Sequence, residues 1–439
     1  MSGVVEEIRN VCALGALQTV TAIERAVPII HAGPGCGQKL WGALSNSNGF
    51  QGSGYSGGHS AICTNSTEQE VVFGGTDKLR ETVENTLKVI DADLYVILTG
   101  CTADIVGDDV GDVARGFQND GKPVVVVETG GFKGNNYFGH ELLWDAIIDQ
   151  YLEKRPARVQ QGLVNVWTVL PYQDPFWAGT LITLTKLLKG IGLTPNVIYG
   201  TGSGGSSINA IPDAQFNLLL SPWLGLCTVQ KLEERYGTPF LHYPVLPFGA
   251  TETGRFLRTT GEFAGVDAGT VEDYISQEEK QYYYFIERAA DLLFETRFLP
   301  GHFVTIADSF YALGLTRFLV RDLGLIPEIQ FVTDDVPTDQ RARIEAEFND
   351  LGEGIATRVV FGADGATVRD ELAKVTFRER PLILGSTWDR VIARELKGYP
   401  LSVSMPVSDR LVLNQSYIGY DGALSLTEDI YSVILSSFQ

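Results

Sequence analysis

Short runs of β-branched and aliphatic residues recur along the chain, and most are separated by an amphipathic stretch bounded by turn residues. The runs are continuously apolar, as strands buried on both faces of a parallel sheet are, rather than alternating apolar with polar. Asp93-Leu-Tyr-Val-Ile-Leu and Pro123-Val-Val-Val-Val read as such strands. Thr76 to Ile90 reads as a helix, and Asp108 to Phe117 as another whose first turn is acidic, where the helix dipole favours negative charge. Val164-Asn-Val-Trp-Thr-Val-Leu, a helix from about Trp177 to Ile191 and Asn196-Val-Ile-Tyr repeat the scheme. It returns in His302-Phe-Val-Thr-Ile-Ala, a stretch through Gly314 to Leu323, Glu328-Ile-Gln-Phe-Val, Arg358-Val-Val-Phe and Pro381-Leu-Ile-Leu-Gly. The pattern predicts an α/β chain of three Rossmann-like domains, each with a parallel sheet flanked by helices. The charged stretch Glu153 to Arg158 closes the first (1–158), the helical, charged region Gly265 to Phe298 ends the second (159–298), and the third is 299–439.

A length of 439 residues agrees with several cores rather than one. Lys and Arg total 34 against 54 Asp and Glu, and the net charge of −20 argues against nucleic acid or an anionic membrane as the main partner. A basic protein partner fits that charge. No apolar run reaches the roughly 18 residues of a membrane span, and Met1 to Asn10 lacks the charged-then-apolar layout of a secretion signal. A cytoplasmic protein is expected.

The chemistry concentrates in cysteines. Five of them, an odd number at long spacings, make no disulfide framework, and without a CxxC pair neither a zinc ribbon nor a ferredoxin-type run is encoded. Three are set among small residues: Cys12-Ala-Leu-Gly, Gly33-Pro-Gly-Cys36-Gly and Thr99-Gly-Cys101-Thr-Ala. An iron-sulfur cluster needs thiolates together with close backbone N–H donors, which glycine-flanked turns provide. One such cysteine alone reads as a small buried hydrophobe; three in this setting point to a cluster gathered from distant loops. Cys101 lies just past an apolar run, at a strand's carboxyl end, where doubly wound sheets place their ligands. Gly200-Thr-Gly-Ser-Gly-Gly lacks both the phosphate-loop lysine and a full GxGxxG and reads as a flexible connecting loop. Gly49 to Gly58, interleaved with Tyr55 and followed by His59, reads as a loop over a site or interface.

At Cys12, Gly33-Pro-Gly-Cys36-Gly, Ser66-Thr-Glu68 to Val72-Phe73-Gly-Gly and Cys101-Thr-Ala-Asp-Ile-Val-Gly-Asp108-Asp109, in that order, the chain resembles component 1 of nitrogenase and nitrogenase-like reductases. The resemblance continues through Phe132-Lys-Gly-Asn, Glu233-Glu-Arg-Tyr-Gly-Thr-Pro-Phe and Ile418-Gly-Tyr-Asp-Gly-Ala, so it spans nearly the whole chain. The last motif looks like the β-type subunit, although Gly35-Cys36-Gly-Gln-Lys-Leu-Trp-Gly looks more like the α type. In this family each subunit supplies three cysteines to a cluster at the αβ interface, an 8Fe-7S P-cluster in nitrogenase; tetrapyrrole reductases carry a simple 4Fe-4S cluster at that interface. The resemblance assigns that role to Cys12, Cys36 and Cys101. It implies an obligate α-type partner in an α2β2 heterotetramer and an ATP-dependent iron protein as reductase. Phe73 resembles the residue at which that iron protein docks, the other reading being a core phenylalanine at a turn. Asp108 and Asp109 read as helix-capping acids or as contacts to a basic reductase surface.

Cys63 and Cys227 match no family ligand and are expected to be structural thiols; His31 and His59 carry no assignment. Ser221 stands where α-type subunits place a cofactor-binding cysteine, and the last histidine is His302, so the resemblance leaves the reducing cofactor to the partner. Gly131 occupies the position of a serine that ligates the oxidised P-cluster in nitrogenase β subunits, and only eleven residues precede Cys12. These departures look most like the methylthio-alkane reductases, which cleave carbon–sulfur bonds. The alternatives are a nitrogenase β subunit, a tetrapyrrole reductase subunit, a non-catalytic cofactor-assembly scaffold, or a metal-free nucleotide-binding protein.

Overall fold

The computed structural model describes residues 6–52, 54–55, 62–296, 298–352 and 354–438; the loop from Gly49 to His59 lies partly outside them, His59 included. Among the described residues thirteen strands form three sheets, and every pairing within them is parallel. The first holds β1 (Ala26–His31), β2 (Ile62–Cys63), β3 (Leu94–Thr99) and β4 (Val124–Val127) in the order β2-β1-β3-β4. The second holds β5 (Gln160–Trp167), β6 (Thr194–Val197), β7 (Ala214–Leu220) and β8 (Phe240–Tyr243) in the order β6-β5-β7-β8. The third holds β9 (His302–Ala307), β10 (Ile326–Val332), β11 (Arg358–Phe361), β12 (Leu382–Gly385) and β13 (Tyr399–Ser402) in the order β11-β10-β9-β12-β13. The α/β class with parallel sheets between helices is therefore as the apolar runs predict. All six residues of β1 and of β3 are buried, which is why neither alternates.

One apolar core runs continuously through all three sheets, with smaller clusters under the outer faces of the first and third. The C-terminal helix Gly419–Ser436 packs on the helices Gly249–Ala264 and Ala268–Thr296, which follow the second sheet, and on β13 of the third. In the first sheet the chain leaves β1 for β2 on one side and re-enters at β3 on the other. The neighbouring carboxyl ends of β1 and β3 thus open a crevice, the place where such sheets take their ligands. The residues that follow them are Ala32 to Cys36 and Gly100-Cys101.

Candidate metal-cluster site

Beyond β1, Gly33 caps the helix Pro34–Asn46, and Pro34 at its first position holds the φ that the helix needs. Cys36 sits in that first turn, its N–H donated to the Gly33 carbonyl at 3.2 Å. Beyond β3, Gly100 crosses against the first loop and donates to the His31 carbonyl at 3.0 Å. A Cβ on Gly100 would stand 2.5 Å from that of Ala32, so glycine is required for the two loops to meet. Cys101 then opens the helix Cys101–Val106. Cys12 arrives from the other direction, just before the turn Ala13–Ala16, and its strand-like segment pairs with residues 134–136. Ala13 donates to the Gly134 carbonyl at 2.8 Å, and Asn136 donates to the Val11 carbonyl at 2.8 Å.

The Cys12 and Cys101 loops meet beside Gly131. The position a Gly131 Cβ would take lies 3.1 Å from the Cys101 Sγ, 3.5 Å from the Cys12 Sγ and 3.2 Å from the Cys12 Cβ. The Gly131 N–H donates to the Cys101 sulfur at 3.1 Å. Burial pushes the Cys36 thiol up, and negative charge at Cys12, Cys101 and Cys63 pushes it further. Cys12 and Cys101 are exposed and Cys36 half-buried, all three as free thiols. Soft sulfur donors and a backbone N–H aimed at one of them suit an iron-sulfur cluster. Among the described residues no three His, Cys, Asp or Glu side chains gather closely enough to hold a single metal ion, whereas a cluster carries its own sulfides across a wider span.

The loop bearing Gly131 is held on both sides. Thr129 donates its N–H to the Thr99 hydroxyl and its own hydroxyl to the Thr99 carbonyl, each at 2.8 Å. The Gly130 N–H donates to the Asp104 carboxylate at 3.1 Å, and Lys133 reaches the same carboxylate at 2.9 Å and that of Glu128 at 2.8 Å. Asp104 and Lys133 lie in recognised motifs, but their pairing across the loop leaves no mark in local sequence.

His31 is fully buried, its Nδ1 3.1 Å from the Thr64 hydroxyl and its Nε2 2.9 Å from Asp108. Burial lowers its pKa against the pull of that carboxylate. Asp108 also accepts the Gly75 N–H at 2.7 Å and its side chain is only 6% exposed. It is thus neither a helix cap nor an outward contact: with His31 it fixes the turn that follows Phe73. Asp109 is the cap, accepting the Asp112 N–H at 2.8 Å before the helix Val110–Asn119. Phe73 closes the helix Glu68–Phe73, begun by a Thr67–Glu70 capping box, and is 81% exposed beside exposed Val71 and Val72. It is no core phenylalanine.

Cys63, half-buried at the end of β2, donates to the Ala32 carbonyl at 3.3 Å and accepts the Asn65 N–H at 3.4 Å. Cys227 is exposed on the helix Leu226–Tyr236, against the expectation of a packed structural thiol. The Gly200 loop is tied down: Gly200 donates to the Ala22 carbonyl at 2.8 Å, and Ser203 accepts the Glu24 N–H at 3.1 Å. Ser221 is buried, accepting the Trp223 N–H on its hydroxyl and, at 2.7 Å, the His242 Nε2 on its carbonyl. Around it the junction between sheets is filled by this chain. The Trp223 indole donates to Asp334 at 2.8 Å, Tyr137 packs on Trp223 with ring centres 5.8 Å apart, and Asp174 meets the Tyr311 hydroxyl. Burial raises the pKa values of Asp174, Asp334 and Asp308, the last to about 7 with help from the charge of Asp334.

A family model described as nitrogenase component 1 type oxidoreductase matches residues 12–435. The chain is 26% identical over 472 residues to the nitrogenase molybdenum-iron protein beta chain of Methanococcus maripaludis, covering 100% of this chain and 96% of that one. It is 23% identical over 439 residues to a light-independent protochlorophyllide reductase chain of Trichormus variabilis, covering 95% and 81%. A solved structure titled "Nitrogenase Cp1 at pH 6.5" superposes on it with a TM-score of 0.81 at 20% identity, covering 100% of this chain and 95% of that one.

Proposed function

This chain belongs to the nitrogenase component 1 type oxidoreductases and is of their β type, and from that premise we propose that Cys12, Cys36 and Cys101 hold an iron-sulfur cluster shared with an α-type partner. The observation that carries the proposal is the meeting of the Cys12 and Cys101 sulfurs at Gly131, with Cys36 in the loop after β1, the strand beside the one that leads to Cys101. When bound, the cluster supplies a centre that accepts and releases electrons. The chain's own contribution is three thiolates and an N–H that bears on one of them. The exposure of Cys12 and Cys101 leaves the far side of the group to a second subunit, in an α2β2 assembly of cytoplasmic setting. The filled junction around Ser221 favours a reducing cofactor housed in the α-type subunit, with an ATP-dependent iron protein delivering electrons across the Phe73 surface.

For the substrate we propose small methylthio-alkanes, R–S–CH3, reduced by two electrons and two protons to RH and CH3SH. Gly131 in place of a ligating serine and the mixed character of the Cys36 motif support this over the reactions named for the relatives. The purified complex, supplied with its iron protein, ATP and ethyl methyl sulfide, is expected to release methanethiol and ethane. Ammonia from dinitrogen, or reduction of protochlorophyllide, without methanethiol would replace this substrate; iron without sustained turnover on any of them would mark an assembly scaffold.

Phe73→Ala should raise the iron-protein concentration needed for half-maximal turnover about tenfold or more, since truncating a central aromatic at an interface costs about 2 kcal/mol. Iron content should stay at the wild-type level, because the Phe73 side chain is 81% exposed and is not among the proposed ligands. Superimposable titration curves for variant and wild type would remove Phe73 from the docking surface.

A further inference from the structure

Resting on the cluster assignment above, we infer that Lys133 and Asp104 are positioning residues, a clamp that sets the reduction potential of the site by holding the Gly131 N–H on the Cys101 sulfur. Cys101 and Asp104 stand three residues apart on one helix, hence on one face. They take successive amides of the same loop, Asp104 that of Gly130 at 3.1 Å and Cys101 that of Gly131 at 3.1 Å. Lys133 closes the grip from the other end. Its Nζ binds Asp104 at 2.9 Å and Glu128 at 2.8 Å, and its N–H donates to the Gly130 carbonyl at 2.9 Å. The fit has no slack, since a Cβ on Gly130 would stand 2.5 Å from the Asp104 carboxylate oxygen. The Asp104 side chain is 6% exposed, and a carboxylate so enclosed depends on its cation and its N–H donor to stay in place.

An N–H aimed at a ligating sulfur withdraws charge from it and favours the reduced state, so releasing the loop lowers the potential. The sign separates this from a plain field effect. Removing the positive charge with Lys133→Met lowers the potential in either case. Removing the negative charge with Asp104→Ala raises it if only charge matters, but lowers it if the clamp matters.

The test uses the intact complex carrying each variant, with iron counted, the potential measured by redox titration under electron paramagnetic resonance, and amide exchange followed over residues 129–133. The expected result is a lower potential in both Lys133→Met and Asp104→Ala, about tenfold faster exchange at Gly131, as loss of one charge-assisted hydrogen bond gives, and restoration of both by Lys133→Arg. Potential shifts of opposite sign, or unchanged exchange, would overturn the clamp while leaving the cluster in place. A wild-type complex without iron would instead overturn the assignment on which the clamp rests.

Discussion

Cys36→Ala is expected to strip the shared site of its iron and to lower reductase-dependent turnover by more than about 100-fold, because partners one shell further out than a ligand already cost about 10- to 100-fold. The variant isolates ligation from folding. Cys36 is half-buried at the start of a helix whose cap is Gly33 and whose first turn is set by Pro34, so alanine keeps the backbone and loses one sulfur. Cys63→Ala is the matched control. Its sulfur donates to the Ala32 and Gly33 carbonyls and accepts the Asn65 N–H, and the variant should keep its iron and colour. A Cys36→Ala complex that is still brown with full iron would refute the ligand set, and loss of iron from both variants would show that Cys63 belongs to it.

The parts of the fold legible in the sequence are those whose environment is uniform. β3 and β4 read as apolar runs, and β9 and β11 are found where the runs stand; β1 is as fully buried as β3 but was not read from the sequence. β7 escaped because Gln215 and Asn217 break its run. Asn217 is fully buried and accepts from Asn165 at 2.9 Å and from the Trp167 indole at 3.0 Å, a polar pairing inside the sheet that no periodicity reports. β2 has two residues and β13 contains Pro400, so neither carries a pattern. In the site, glycine beside cysteine is a local signal and was readable. Acids before a helix are local too, yet Asp108 and Asp109 look alike in sequence and differ only in what folds against them: Asp109 meets its own helix, whereas Asp108 meets His31 and Gly75. Asp104 with Lys133, and Asn136 with Val11, join segments tens to more than a hundred residues apart and leave nothing to read along the chain.

The same is true of Arg9, three residues before Cys12, where the largest loss of stability is expected. Its guanidinium is 2% exposed and forks onto Asp389, 5% exposed, with contacts of 2.8 and 2.7 Å across 380 residues of sequence. Its carbonyl accepts from Gln173 at 2.7 Å, and Gln173 in turn accepts from Asn136 at 2.9 Å, the residue that pairs with Val11. The approach to Cys12 is thereby moored to the third sheet through Asp389 and to the second through Gln173. Arg9→Met leaves Asp389 buried with only Ser386 to satisfy it, which should cost about 3–5 kcal/mol. The double variant Arg9→Met, Asp389→Leu removes both charges and should regain most of that loss, since the penalty comes from the stranded carboxylate rather than from the missing bond. Urea unfolding of the complex measures the stability, and iron content reports whether Cys12 still reaches its place. A single variant that loses less than about 1 kcal/mol, the range of an exposed pair, would show that Arg9 does not anchor this segment. Recovered stability without recovered iron would show that the pair orients Cys12 as well as holding the chain.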